Sequence, residues 1–281
     1  MIIFATKFFQ NMSLSENQYK LGIDIGSTTA KVIIFDPEGK IVFHKYGKHN
    51  TYVYKTLINT LKDASQLLGN IRLKAAITGT AGMGISERNN IKFSQEVIAA
   101  TNVVNQKYKE VSTLIDIGGE DTKMIFFQEG KSPDIRMNGN CAGGTGAFIE
   151  QMASLLNVKI EDMNSLAEKS TNHYPIASRC GVFAKTDIQN LLARKVEKQD
   201  IAASIFHAVG IQTLNTLSRG FEVKPKVMFI GGPLTFMPEL RKKMLLAMNL
   251  TEKDVILPEY SEYFPAQGAA LEAEGDFLLE E

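Results

Sequence analysis

Two cysteines are the residues of this chain with the most distinctive chemistry. Cys141 and Cys180 stand thirty-nine positions apart, each beside a small residue or glycine and each just before a predicted helix. The unpaired amides and the dipole at a helix N-terminus favour a thiolate over a thiol and also attract bound anions. Because Cys141 belongs to the glycine-rich stretch 138–146, that stretch can be read either as a metal-binding loop or as a phosphate-binding loop.

The cysteine pair can complete a metal site only with further ligands. Two thiolates do not fill the four ligand positions of a zinc or iron–sulfur site. A homodimer would supply the other two, because a twofold axis can bring four cysteines around one cluster. Two unrelated buried thiols remain an alternative when spacing alone is considered.

An internal repeat supplies the second set of candidate residues. The first copy is Ile23–Gly26 with Lys31, Ile33 and Phe35, and the second is Ile115–Gly118 with Lys123, Ile125 and Phe127. All these matches are displaced by the same ninety-two positions. Each copy has the pattern of a β-hairpin whose turn begins with aspartate and glycine. The repeat therefore predicts two related lobes, and two such turns across a cleft would suit a ligand that bears phosphates.

The side chains of these turns suit phosphate chemistry. Asp24 and Asp116 end predicted strands, and two carboxylates that converge on a polyphosphate need a cation between them, for which Mg²⁺ held through water would serve. Residues 27–29 offer hydroxyls and amides, and Lys31 offers charge if it turns inward. A plain hairpin turn is the alternative for either copy alone. Neither turn fits the Walker or dinucleotide glycine pattern, which disfavours those nucleotide-binding folds.

The order of predicted elements indicates the fold class. Strands alternate with helices along the chain, which is typical of an α/β protein. We divide the chain into an N-terminal extension at 1–19, lobe I at 20–110 with the first hairpin, and lobe II at 111–281 with the second hairpin and both cysteine motifs. The first ten residues are apolar but too short for a membrane span or a signal segment, so we expect the extension to be flexible.

The charge balance and the cysteine count restrict the setting of the protein. Lysine and arginine number 31, and aspartate and glutamate also number 31, so the formal net charge is zero. No overall field therefore favours nucleic acid or a membrane surface as a partner. With two cysteines and no export signal, we expect a cytoplasmic protein with reduced thiols.

The chain resembles the ATP-dependent activators of 2-hydroxyacyl-CoA dehydratases, a family that also includes the ATPase subunits of benzoyl-CoA reductase. The resemblance runs from about Lys20 to Ala270. It is carried by Gly22–Lys31, Asp116–Lys123, Asn138–Gly146, Arg179–Ala184 and Ile230–Gly232. The cysteine motifs are its specific part, since the hairpins alone indicate only the wider superfamily of actin, sugar kinases and heat-shock chaperone ATPases. Gly143 and the pair Pro233-Leu234 are similar to the activator-like domains of large multidomain members.

This resemblance implies a duplicated α/β fold of the actin, sugar kinase and heat-shock chaperone type, with two lobes around a nucleotide cleft. It also implies a homodimer with ATP or ADP and Mg²⁺ in each protomer. One 4Fe-4S cluster at the interface would be ligated by Cys141 and Cys180 of both protomers. ATP binding or hydrolysis would change the exposure and potential of the cluster. One low-potential electron would then pass to a dehydratase- or reductase-type iron–sulfur enzyme, with reduced ferredoxin or flavodoxin as the expected donor.

The resemblance also assigns individual residues. Asp24, Asp116 and Glu120 would place Mg²⁺ and the attacking water, although Glu120 stands where relatives often carry glutamine. The residues implied in nucleotide binding are Gly26, Ser27, Thr28, Thr29, Lys31, Gly118, Gly119, Asp121, Lys123, Gly144, Thr145, Gly146, Gly231 and Gly232. Gly231 and Gly232 would face the adenosine. Residues 144–146 would lie near the γ-phosphate, so the stretch 138–146 is predicted to couple nucleotide and cluster.

Two other functions use the same fold. A small-molecule kinase would phosphorylate a sugar or a carboxylic acid, but it needs a base aspartate, and the stretch 138–146 carries Cys141 instead. A regulatory ATPase would bind a partner without redox work. The four histidines, at positions 44, 49, 173 and 207, show no ligand spacing and are expected on the surface or in the core.

Overall fold

The computed structural model describes residues 18–138 and 143–280; residues 1–17 of the predicted extension and Cys141 lie outside these ranges. Its strands are β1 (Tyr19–Ile25), β2 (Thr29–Phe35), β3 (Ile41–Lys48), β4 (Ile71–Thr78), β5 (Lys92–Phe93), β6 (Thr113–Ile117), β7 (Thr122–Phe126), β8 (Asp134–Asn138), β9 (Val227–Ile230), β10 (Val255–Ile256) and β11 (Glu274–Leu279). Its helices are α1 (Val53–Leu68), α2 (Met83–Asn89), α3 (Glu96–Lys107), α4 (Gly146–Leu155), α5 (Met163–Glu168), α6 (Gly181–Ala193), α7 (Lys198–Leu217), α8 (Gly232–Phe236), α9 (Pro238–Met248) and α10 (Phe264–Leu271).

The chain forms two compact units. The first contains the described residues up to Lys109 together with those from Tyr263 onward, and the second is Glu110–Glu262. The first sheet has the strand order β11-β4-β1-β2-β3 with β5 beside β4, and the second has the order β10-β9-β6-β7-β8. Each sheet therefore contains the predicted hairpin, extended to an antiparallel three-stranded meander, with a parallel strand beside its first member.

The central strands are apolar because both faces of each sheet are covered at its centre. In β6 every residue is buried, and in β1 the last five are buried. The first core packs one face of its sheet against α1 through Leu57 and Leu61, and the second packs β6 and β9 against α4 and α7. Each core includes residues of the hairpin that carries a repeated aspartate, such as Ile23 in the first and Ile115 in the second. Packing therefore supports both hairpins.

The C-terminal segment belongs to the first unit, whereas the sequence interpretation assigns 111–281 to one lobe. Helix α10 packs against α3 and β1, and β11 pairs antiparallel with β4. The approach of α10 requires glycine in β1, because a Cβ at Gly22 would collide with the carbonyl oxygen of Ala266. The packing of the small residues of α10 could not be assigned to a unit from their spacing alone.

Within the described ranges, the helices lack the combined length and hydrophobicity that a membrane crossing requires.

Candidate functional site

Asp24, the penultimate residue of β1, is a buried carboxylate beside a lysine. Its side chain is 1% exposed, and its Oδ2 accepts a hydrogen bond of 2.6 Å from Lys31 Nζ. Its Oδ1 is buried and has no hydrogen-bond partner among the described residues. Burial lowers the pKa of Lys31, but the Asp24 charge and hydrogen bond together raise it well above its ordinary value. Lys31 is therefore a cation held at Asp24, and one oxygen of Asp24 is left to accept another bond.

The first hairpin turn is short and closed on itself. The Gly26 amide donates to the carbonyl of Thr29 at 3.0 Å. Ser27 is exposed, Thr28 is half-buried and Thr29 is buried. The residues predicted to bind phosphate thus lie in one tight turn, and the hydroxyl of Ser27 is open to a ligand.

The second hairpin repeats this arrangement. Asp116 is 5% exposed, and Lys123 Nζ lies 3.9 Å from Asp116 Oδ2 and 2.8 Å from Asp121 Oδ2. The strand register pairs Asp116 with Lys123 as it pairs Asp24 with Lys31. Both predicted phosphate-binding lysines thus neutralise carboxylates of their own hairpin. Glu120, the predicted water-positioning residue, is exposed in the turn.

Glycine stands behind each aspartate. Gly79 and Gly231 directly follow β4 and β9, and both have a φ of +89°. A Cβ at Gly79 would lie 2.5 Å from Asp24 Oδ1, and a Cβ at Gly231 would lie 2.5 Å from Asp116 Oδ1. Sequence analysis singled out Gly231 but missed Gly79. The duplication was the signal that could have found Gly79. The strand before Gly79 runs parallel to β1, as the strand before Gly231 runs parallel to β6.

The predicted adenosine pair begins a short helix. Gly232 is the buried first residue of α8, and the carbonyl of Gly231 accepts a hydrogen bond of 2.8 Å from Thr235 Oγ1. The same hydroxyl lies 2.6 Å from Ser261 Oγ. The backbone of Gly231 is thus held by Thr235 at its carbonyl and by the carbonyl of Ser261, which accepts from its amide at 3.4 Å.

The second hairpin turn is hydrogen-bonded to the start of α4. The amide of Gly146 donates to the carbonyl of Gly118 at 2.9 Å, and the amide of Ala147 donates to that of Gly119 at 2.7 Å. These amides are unpaired in an isolated helix, so the turn carbonyls satisfy them. The first turn of α4 is therefore held directly by the second hairpin turn.

The residues just before α4 are also anchored. Thr145 is fully buried, caps α4 and accepts a hydrogen bond from the amide of Phe148 at 3.4 Å. Thr122 Oγ1 donates to the carbonyl of Gly144 at 2.7 Å. Asn138 Nδ2 donates to the carbonyl of Gly143 at 3.1 Å, so the two described ends of the cysteine stretch are joined.

Cys180 occupies the N-cap position of α6 as a partly exposed free thiol. A Cβ at Gly181 would lie 3.7 Å from the ring of Phe148, so α6 begins beside the first turn of α4. Val182 and Phe183, which follow, are 70% and 67% exposed. In residues 18–138 and 143–280, no three His, Cys, Asp or Glu side chains are grouped to hold a metal ion.

A duplicated fold with one aspartate–lysine hairpin in each half is the fold of the actin and sugar kinase type. The chain matches the BadF/BadG/BcrA/BcrD ATPase family over residues 21–273, and it belongs to that family. The (R)-2-hydroxyglutaryl-CoA dehydratase activating ATPase of Acidaminococcus fermentans is 34% identical over 76% of this chain and 82% of its own.

Solved structures agree with this assignment. The (R)-2-hydroxyglutaryl-CoA dehydratase component A of Acidaminococcus fermentans is similar with a TM-score of 0.79 and 29% identity, over 91% of this chain and 97% of that one. The activator of the 2-hydroxyisocaproyl-CoA dehydratase from Clostridium difficile, solved with ADPNP, has a TM-score of 0.78 and 28% identity over 91% and 94%. A glucokinase of the ROK family from Streptomyces griseus, with a TM-score of 0.50 and 14% identity over 91% and 99%, shares the fold alone.

Proposed function

We propose that this protein is an ATP-hydrolysing iron–sulfur activator that passes one low-potential electron to a partner enzyme. The observation that carries the proposal is the link between the second hairpin turn and α4, through the amides of Gly146 and Ala147. The cysteine stretch precedes α4, and Cys180 begins the helix beside it. The second hairpin turn is thus bonded to the start of α4, and the start of α6 lies beside it.

The hairpins fit a nucleotide with Mg²⁺. Asp24 Oδ1 is buried and accepts no bond from the described residues, which suits an acceptor for a water ligand of the cation. Lys31 donates a hydrogen bond to Asp24 Oδ2, and the turn at 26–29 offers amides and hydroxyls to phosphate. Mg²⁺ would neutralise phosphate charge there. The relative solved with ADPNP supports nucleotide binding at this fold.

The cysteines fit a cluster shared by two chains. Each chain would give Cys141 and Cys180, which together make the four thiolates that a 4Fe-4S cluster requires. A cluster would supply the redox centre, and the amides at the start of α6 would favour its anionic form. The exposed Val182 and Phe183 beside Cys180 support self-association, because large apolar side chains beside a site mark a contact surface.

The partner is assigned by chemistry shared with the relatives. Named relatives activate acyl-CoA dehydratases, and another belongs to the benzoyl-CoA reductase of Thauera aromatica. We therefore expect a dehydratase- or reductase-type iron–sulfur enzyme as the electron acceptor and reduced ferredoxin or flavodoxin as the donor. The kinase alternative has only the fold in its support.

The coupling role of α4 is tested with Thr145→Val. The buried Thr145 hydroxyl caps α4, so its loss should loosen the helix start by about 1 kcal/mol. We expect iron content to stay unchanged, while the effect of Mg-ATP on the rate at which bathophenanthroline removes iron falls several-fold.

Thr145→Ser is the matched control, because serine retains the capping hydroxyl. It should respond to Mg-ATP as the wild type does. Equal responses of the valine and serine variants would contradict the coupling role.

A further inference from the structure

His49 is a buried histidine with both ring nitrogens engaged. Its side chain is 5% exposed and lies just after β3. Its Nε2 lies 3.1 Å from the carbonyl oxygen of Gly26, and its Nδ1 accepts a hydrogen bond of 3.2 Å from the amide of Thr51. The ring therefore joins the first hairpin turn to the loop that precedes α1.

The partners of His49 determine which nitrogen carries the proton. The Thr51 amide is a donor, so Nδ1 must be the acceptor. The carbonyl of Gly26 is an acceptor, so Nε2 must carry the hydrogen and donate. Both partners are thus satisfied by the tautomer of His49 that carries its hydrogen on Nε2, aimed at the turn.

The hydrogen bond to Gly26 also fixes a second group. The Gly26 carbonyl and the Ser27 amide belong to one planar trans peptide, so the N–H points away from the carbonyl and hence away from His49. The main-chain amide of His49 also donates to the carbonyl of Thr28 at 3.1 Å. His49 therefore holds the turn through the carbonyls of Gly26 and Thr28. The Ser27 amide points to the opposite side of the turn.

The loop beyond His49 has an uncommon backbone. Asn50 and Thr51 are consecutive residues with φ of 45° and 69°, a region that β-branched residues rarely adopt. The Thr51 amide reaches Nδ1 in this conformation, and the amide of Tyr52 donates to the carbonyl of His49 at 2.7 Å. Strained backbone at a fixed position often accompanies a functional constraint, and here it orients the ring.

We propose that His49 is a positioning residue for phosphate binding, with its Nε2–H holding the Gly26 carbonyl and so directing the Ser27 amide toward the phosphate of the nucleotide. This inference rests on the proposed ATP site. It goes beyond that site because His49 lies outside the repeated hairpin.

Two substitutions separate the ring's two hydrogen bonds. His49→Gln places an amide N–H near the position of Nε2 and keeps the donor to Gly26, but it loses the acceptor for Thr51. His49→Asn keeps an acceptor near the position of Nδ1, but it loses the donor to Gly26. The main-chain bond to Thr28 is available in both variants, so the pair isolates the side-chain donor.

The test is the affinity of the full chain for Mg-ATP, measured by isothermal titration with melting temperature as the check of folding. His49→Asn should bind Mg-ATP about ten-fold more weakly, since the Gly26 carbonyl loses its side-chain donor, whereas His49→Gln should stay within about three-fold of the wild type. His44→Asn is the control, on the strand that His49 follows, and should bind as the wild type does.

Equal weakening in the two His49 variants, or greater weakening in His49→Gln, would overturn the positioning role and leave the proposed function intact. A wild-type chain that binds no Mg-ATP would overturn the proposed function, and the inference about His49 with it.

Discussion

Each hairpin holds its aspartate between a lysine and a glycine. Lys31 and Lys123 lie at the buried carboxylates, and Gly79 and Gly231 allow the backbone of the next parallel strand to approach them. A larger residue behind either aspartate would displace the carboxylate from its lysine. The position of each carboxylate thus depends on two residues of opposite character. One is a lysine with a long charged side chain, and the other is a glycine with no side chain.

Gly79→Ala should lower both ATP hydrolysis and stability. Its Cβ would lie 2.5 Å from Asp24 Oδ1, and overpacking of this kind typically costs about 1–3 kcal/mol beyond backbone strain. Gly39→Ala is the matched control, because Gly39 has a φ of +84° with nothing within 4 Å of its Cβ. That control should cost only the left-handed strain, about 1–2 kcal/mol.

Urea denaturation and steady-state ATP hydrolysis measure both effects. We expect normal hydrolysis in Gly39→Ala and reduced hydrolysis in Gly79→Ala. If the two variants were equally stable and equally active, Gly79 would have no role behind Asp24.

The residue types predicted where the hairpin aspartates lie, but they did not predict that the lysines pair with carboxylates. The repeat placed Asp24 and Asp116 at strand ends, because hairpin patterns are local. The hydrogen bond from Lys31 to Asp24 depends on the cross-strand register, whereas the sequence interpretation assigns that charge to phosphate. Gly79 lies fifty-five positions from Asp24, so its contact depends on a parallel pairing that a single sequence does not specify.

At the scale of elements, the segment before Cys180 is held by carboxylates. Asp200, in the first turn of α7, accepts hydrogen bonds from the amides of Thr171 and Asn172 at 2.8 and 3.0 Å. Asp187 Oδ2 accepts one from the amide of Ala177 at 2.8 Å. The segment 170–179 contains no strand or helix, and these hydrogen bonds hold it in place. The position of Cys180 rests on these bonds, which spacing in the sequence did not reveal.

Asp200→Asn should destabilise the protein by about 1–3 kcal/mol at neutral pH, because two backbone donors lose a charged acceptor. Burial raises the pKa of Asp200, but the bonds from Asn172 and Thr171 together hold it below its ordinary value. A lowered native pKa gives stability that is present above the unfolded pKa and is lost as the pH falls through the native one. The difference from wild type should therefore shrink in acid.

Urea denaturation between pH 7 and pH 3 checks this prediction. Asp134→Asn is the control, since its partner Arg136 lies at a more exposed site and an exposed ion pair is worth about 0–1 kcal/mol. A destabilisation of Asp200→Asn that stays constant with pH would show that the charge of Asp200 is not involved.

At the scale of the whole molecule, the α/β class and the duplicated fold were predictable from the repeat. Two copies of one hairpin imply two similar sheets, and the sheets have matching strand orders around β1 and β6. The return of the chain to the first unit was not predictable, because α10 is a short helix of small residues whose packing partner is set by Gly22. The cysteine motifs indicated the proposed redox function only through resemblance, since each chain offers two thiols.

The central claim is that two chains share one iron–sulfur cluster that responds to nucleotide. The most direct measurement is the iron and sulfide content and the mass of the full protein purified without oxygen, for wild type and for Cys180→Ser. We predict a brown dimer with about two iron atoms per chain, and a Cys180→Ser variant that folds but holds little iron. A colourless, iron-free wild type after reconstitution, or iron content unchanged in Cys180→Ser, would contradict the claim.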